Sequence, residues 1–170
     1  MVHLVPHSAD WRAEFDMQVP LIGAAMGDNL VAVHHIGSTA IPGILAKPIV
    51  DILVEVTNLE EVDACTFAMQ EARFEAKGEY GIAGRRYFRR SDAEGTRTHH
   101  IHVFEAGSPH AGRHLAFRDF MLAHEDKAKV YSDLKARLAA LQGSAYQDAK
   151  SDFVEEMQDA ALIWVEAGRP

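Results

Sequence analysis

Residues 34–56 read HHIGSTAIPGILAKPIVDILVEV, and the fold is decided here. The last eight of them, IVDILVEV, are rich in β-branched side chains and predict a strand over 49–56. Strand alternation puts Asp51, Leu53 and Glu55 on one face and Ile52, Val54 and Val56 on the other. The second set is the core face. Two carboxylates in so apolar a strand are costly unless they meet solvent, a cation or a partner. Upstream, LVAVHHI at Leu30–Ile36 predicts a shorter strand that delivers the chain to Gly37 and Ser38. The connection at 37–48 holds two glycines, two prolines and a Ser-Thr pair, which reads as a loop with a helical turn.

Working outward, a first helix is expected after Ser8, with Pro20 kinking or dividing it and Gly27-Asp28-Asn29 ending it. Asn58 and Glu61 suggest a capping-box variant opening a helix to about residue 72. A strand is expected over 74–80. Two more, over 85–91 and 97–105, are joined by a hairpin loop at 92–95. Ser108-Pro109 starts a helix, another covers about 126–141, and Ser144 with Gln147 caps the last. The chain therefore reads as a single α/β (α+β) domain over 1–170, with a helical C-terminal part.

The 170 residues carry a net charge of −8 with histidines neutral. A uniformly acidic surface repels nucleic acid, so a backbone-tracking DNA or RNA binder is not expected. No apolar run is long enough for a membrane span, and the N-terminus lacks the pattern of a secretory signal. With one cysteine, Cys65, no internal disulfide is possible, and a cytoplasmic protein is expected. Two local features depart from the average. Five of the eleven arginines (Arg85, Arg86, Arg89, Arg90, Arg97) fall within thirteen residues, as an anion site or as a solvated hairpin face. Seven of the ten histidines lie between His34 and His114.

The chemistry concentrates in three places. Gly37 permits close backbone approach to a ligand, and Ser38 with the adjoining Thr39 offers hydroxyls and N–H groups to phosphate oxygens. Lys47 could add a point charge there, or be a surface lysine. In the strand over 97–105, His100 and His102 share a face with Thr98 and Phe104, opposite Ile101 and Val103. With Asp51 they could hold a divalent metal, or one could act as general base and the other as a donor to substrate. Lys150 could turn into the same cleft, whereas Arg118-Asp119 reads as an ion pair.

These stretches, with GRRYFRR, THHIHVFEAGSPH, HLAFRDFMLAH and YQDAKSDFVEE, resemble the GrpB family of the nucleotidyltransferase superfamily in content and order. The resemblance implies a nucleotidyltransferase-like mixed sheet flanked by helices, with the active site on one sheet face. It implies that Gly37 and Ser38 hold a nucleoside triphosphate and that Asp51 is the first acid of an acid-x-acid pair for two Mg2+ ions. The second acid is expected at position 53, which is Leu53; Glu55 lies one pleat further on. Some members are fused to dephospho-coenzyme A kinase, and this chain has no P-loop.

Three functions follow as expectations. The first is metal-dependent nucleotidyl transfer to a small-molecule or protein acceptor. Asp51, with Glu55, His100 or His102, would bind metal, while Lys47, Arg85, Arg86 and Lys150 neutralise phosphate. The second is a non-catalytic binder of nucleotides or other phosphorylated small molecules. The third is a hydrolase or phosphotransferase using Mn2+ or Zn2+ on His99, His100 and His102. A homodimer is left open.

Overall fold

The computed structural model describes residues 2–141 and 143–170. Helix α1 (Asp10–Met26) leads into strand β1 (Leu30–Ile36), a 3-10 turn at Ser38–Ala40 and strand β2 (Val50–Val56). Two short helices follow, α2 (Leu59–Ala64) and α3 (Thr66–Glu71), then β3 (Glu75–Ala76), β4 (Arg86–Ser91) and β5 (Arg97–Glu105). Helices α4 (Pro109–Ala123), α5 (Glu125–Leu138) and α6 (Gly143–Glu166) complete the chain. No described helix is long and apolar enough to cross a membrane.

The five strands form one mixed sheet in the order β1-β2-β5-β4-β3. Strands β2 and β5 run parallel, and every other pair is antiparallel. A parallel pair needs a long crossover, which α2, α3, β3 and β4 supply. β2 therefore lies inside the sheet with both faces covered, which explains its nearly unbroken apolar sequence. Val50, Ile52, Val54, Val56, Ile101 and Val103 pack on one face against Trp11, Phe15, Ile22 and Met26 of α1, and against Val62, Met69 and Phe74. The other face carries a smaller cluster of Ile36, Leu53, Phe104 and Ala111. A third cluster joins Ile41 and Ile44 to α4, α5 and α6. Fully burying an aliphatic side chain of this size contributes about 1.5–3 kcal/mol, so these clusters hold the layers together.

Several local expectations need correction. Helix α1 runs through Pro20 undivided. Pro20 and Asp16, whose carbonyl the ring leaves unpaired, both lie on the exposed side, where water reaches that group. Asn58 does cap, accepting from the Glu60 N–H at 2.8 Å, but the helix breaks at Cys65 into α2 and α3. The strand expected over 74–80 shrinks to Glu75–Ala76. Gly78, Tyr80 and Gly81 have φ of 60°, 48° and 86°, and residues so placed turn the chain rather than extend it.

Three histidines pack against other rings, His35 and His99 buried and His114 half-buried. His35 stacks on Phe15, His99 meets the edge of Phe74, and His114 lies beside His102 and Phe104. Burial pushes each down to about 4. Between pH 4 and 6.5 the unfolded chain binds protons that the folded protein refuses. Stability is therefore complete above about pH 6.5 and falls as pH drops toward 4, by several kcal/mol in all. Calorimetric melting at pH 7, 5.5 and 4.5 should show a steep fall in Tm; a flat profile would refute this.

Candidate functional site

The site begins where β1 ends. Gly37 has φ 72° and ψ −173°, so a residue with a side chain would be strained there. A Cβ on Gly37 would lie 2.8 Å from Asp51 Oδ2 and 3.1 Å from Asp51 Cβ. The glycine thus lets the Gly37-Ser38 bend rest directly on the Asp51 side chain. Sheet register makes the same junction, pairing Ile36 with Asp51 and Asp51 with His100.

The Asp51 side chain is 30% exposed. His100 Nδ1 lies 3.3 Å and His102 Nε2 3.4 Å from its Oδ1. Removal from water drives the carboxyl upward, but hydrogen bonds from His100 and His102 outweigh this and hold it well below the usual carboxylate range. Arg85 is buried and donates to the Glu79 and Tyr80 carbonyls, while its Nη1 lies 3.3 Å from His102 Nδ1. A guanidinium only donates, so His102 Nδ1 accepts and its Nε2 carries the proton aimed at Asp51. Tyr87 lies against both imidazole rings, with centroids 5.7 and 5.5 Å away. Among the described residues, His100 Nε2 is buried with no partner.

Above Asp51 opens a polar cleft of about 230 Å³, lined by Ser38, Lys47, Arg97, His100, Lys135 and Lys150 among others. Lys47 and Lys150 both face the Tyr146 ring, at 4.8 and 5.3 Å. Burial lowers both lysines, and Asp51 pulls each partly back up. Lys135 is 2% exposed and donates to Ser38 Oγ at 2.8 Å and to the Leu45 carbonyl.

Ser38, Thr39, Lys47, Asp51, His100 and Lys150 therefore line one cleft, and Gly37 and His102 abut its Asp51. Other candidates do not reach it. Glu55 shares the Asp51 face but bonds His34 at 2.8 Å. Thr39 does line the cleft wall, but it is buried and its hydroxyl lies 2.9 Å from His35 Nε2. Arg86 lies on the opposite sheet face and grips Asp63 through two bonds of 2.7 and 3.0 Å. Arg85 acts on His102 from behind rather than facing the cleft. The arginine cluster thus divides: Arg89 pairs with Glu75, Arg90 with Gln18 and the Ala72 carbonyl, and Arg97 lines the cleft. His99 points into the opposite core, which rules out a centre built on three successive imidazoles. Arg118 pairs with Asp119 as expected.

Lys135 and Tyr131 were not singled out from sequence, yet a signal exists. Ala128, Tyr131, Ser132 and Lys135 follow the i, i+3, i+4, i+7 spacing of one buried helix face. A lysine on that stripe needs a polar partner inside.

Residues 1–160 match the family described as GrpB protein. The chain is 39% identical over 166 residues to the UPF0157 protein YqkA of Bacillus subtilis, covering 96% of this chain and 48% of that one, so it spans about half of that relative. It is 35% identical to the glutamate-rich protein GrpB of Alkalihalophilus pseudofirmus, covering 92% of this chain and 93% of that one. The crystal structure of conserved protein GrpB from Enterococcus faecalis superposes with a TM-score of 0.88 at 32% identity, covering 94% of this chain and 97% of that one. With the family match over residues 1–160 and these similarities in agreement, the chain belongs to the GrpB family.

Proposed function

We propose that the cleft binds the polyphosphate of a nucleoside triphosphate and that the protein transfers the nucleotidyl group to an acceptor. One observation carries this reading: Lys47, Lys150 and Arg97 converge on the Ser38 bend around a single ionised carboxylate, in a chain of net charge −8. Such a cluster is a concentrated anion site on an anion-repelling surface. Nucleotidyl transfer needs mainly positioning and charge neutralisation, which these cations supply.

The donor set does not fit two metal ions. Leu53 is fully buried where a second acid would stand, and Glu55 is engaged by His34. Nor does it fit zinc, since His100 Nδ1 and His102 Nε2 are both spent on Asp51 Oδ1. Among the described residues, no group of three or more His, Cys, Asp or Glu side chains is spaced to hold a metal ion. Magnesium is commonly held by one carboxylate plus substrate phosphates, and Asp51 fits that lesser role. Such an ion would screen the phosphates from Asp51. His100 and His102 keep the carboxylate ionised and aimed.

Calorimetric titration with a non-hydrolysable ATP analogue tests the binding. Lys150→Ala and Arg97→Ala should each weaken it by about tenfold. Asp51→Asn should abolish Mg2+-dependent pyrophosphate release and lower Tm, because it removes the charge that His100 and His102 hold, while a wild-type far-UV spectrum shows that the fold is kept. Absence of triphosphate binding would refute the proposal. Buried Leu53 favours a second reading, a binder without catalysis. Metal-independent binding with no turnover of any nucleoside triphosphate would select it.

A further inference from the structure

Ser38 and Lys135 stand 97 residues apart in sequence, and their side chains meet at 2.8 Å. The serine directly follows the left-handed Gly37 and lines the cleft, half-buried. The lysine is enclosed behind it, and among the described residues no carboxylate lies within ion-pair distance of its Nζ. The Leu45 carbonyl takes a second N–H, and the Tyr131 ring lies 4.4 Å from Nζ. The Tyr131 hydroxyl also faces Ser38. A buried amine fixed on a serine oxygen, without a counter-ion, is an arrangement that activates a serine.

We propose that Ser38 is a nucleophile with Lys135 as its base, and that it accepts the nucleotidyl group covalently before the acceptor does. The second half rests on the triphosphate reading above. In the first step Ser38 Oγ bonds to the α-phosphorus, the bond from that phosphorus to the bridging oxygen breaks, and pyrophosphate leaves. The serine proton passes to Lys135 Nζ. In the second step an acceptor hydroxyl oxygen bonds to the same phosphorus, the bond to Ser38 Oγ breaks, Lys135 returns the proton to the serine, and the acceptor's proton passes to bulk water.

The chemistry of the lysine agrees. Burial, and then the Lys150 charge, push Lys135 down to about 7, so much of it is neutral near neutral pH. The groups around it are Tyr131 on its own helix, Tyr146 and Lys150 on α6, and Lys47 and Asp51 on the sheet side. The net positive surroundings disfavour an ammonium and favour a serine alkoxide. Lys135 stands behind Ser38, which leaves Lys47, Lys150 and Arg97 to hold phosphate.

A fluorophosphonate tests the dyad without any nucleotide. Ser38 Oγ would bond to the probe's phosphorus, fluoride would leave, and Lys135 would take the proton. Peptide mass spectrometry should place the adduct on Ser38, with a wild-type rate that rises about tenfold between pH 6 and 8, as a base titrating near 7 requires. Ser38→Ala and Lys135→Met should lose the labelling, and Lys135→Arg should not restore it, because a guanidinium cannot take the proton. Labelling elsewhere, equal labelling of a folded Lys135→Met, or a flat pH profile would overturn the dyad; the wild-type profile decides even if the variant does not fold. Incubation with α-labelled ATP should leave one nucleotidyl group on Ser38. Fluorophosphonate labelling without ATP binding would support the dyad and strike the triphosphate reading. Pyrophosphate release without a trapped nucleotidyl-serine would overturn the covalent step and leave that reading intact.

Discussion

Gly37→Ala is expected to lose about 2–4 kcal/mol of stability and at least a hundredfold in ligand affinity or turnover. Two costs add. The residue would hold φ 72° with a side chain, a strain of about 1–3 kcal/mol. Its Cβ would also sit 2.8 Å from Asp51 Oδ2, forcing the carboxylate or the bend to move. Since Asp51 Oδ1 is shared between two imidazoles, moving the carboxylate disturbs His100 and His102 as well. Gly84→Ala provides the control: φ there is 77°, but a Cβ would meet nothing within 4 Å. It should carry the backbone cost alone and leave the cleft working. Urea denaturation and nucleotide titration on both variants measure the difference, and equal behaviour would refute the close-approach argument.

Leu53→Asp is expected to be the most disruptive single change, even though it writes the missing acid into β2. Leu53 is fully buried among Ile36, Phe104 and Ala111 under α4. An aspartate there loses the transfer free energy of the leucine, leaves space behind and strands a polar group, for a combined cost of about 5 kcal/mol or more. The variant should be largely unfolded at neutral pH and gain no Mg2+ affinity. Leu53→Ala should cost about 2–5 kcal/mol, without the charge. A folded Leu53→Asp protein that binds Mg2+ more tightly than wild type would show that the position is open to the cleft after all.

Much of this was legible in the residues alone, because period-two alternation is a strong signal where both faces of a strand are used. The faces of β2 and β5 follow from it, while the meeting of Asp51 with His100 and His102 needs the parallel pairing of the two strands as well. The same rule, applied to β4, separates Arg86, beside Phe88 on the core face, from Tyr87 on the cleft face; reading five arginines as one cluster obscured this. Glu55 failed for another reason. Alternation fixes a face but not a partner, and His34 is supplied by β1 across the ladder. Thr39 lines the cleft, but its hydroxyl is taken by His35 of β1, four residues back. Lys135 was hidden by composition, since EDKAKVYSDLKARL looks like a solvated helix. Only the three-dimensional return of α5 to the Ser38 bend gives the lysine its partners.

The apolar packing is divided between a sheet-side core with α1 and a separate cluster joining α4, α5 and α6, with a small bridge of Ile36, Leu53 and Phe104 onto Ala111 between sheet and α4. Asp51 and His100 are anchored in the first body, Lys135 and Lys150 on the second. The cleft is therefore a joint, and its width depends on how the two bodies are seated. A guest touching both walls would act as mortar, stiffening the molecule along a line that only this small bridge otherwise holds, and its grip would vary with anything that tilts the helical half.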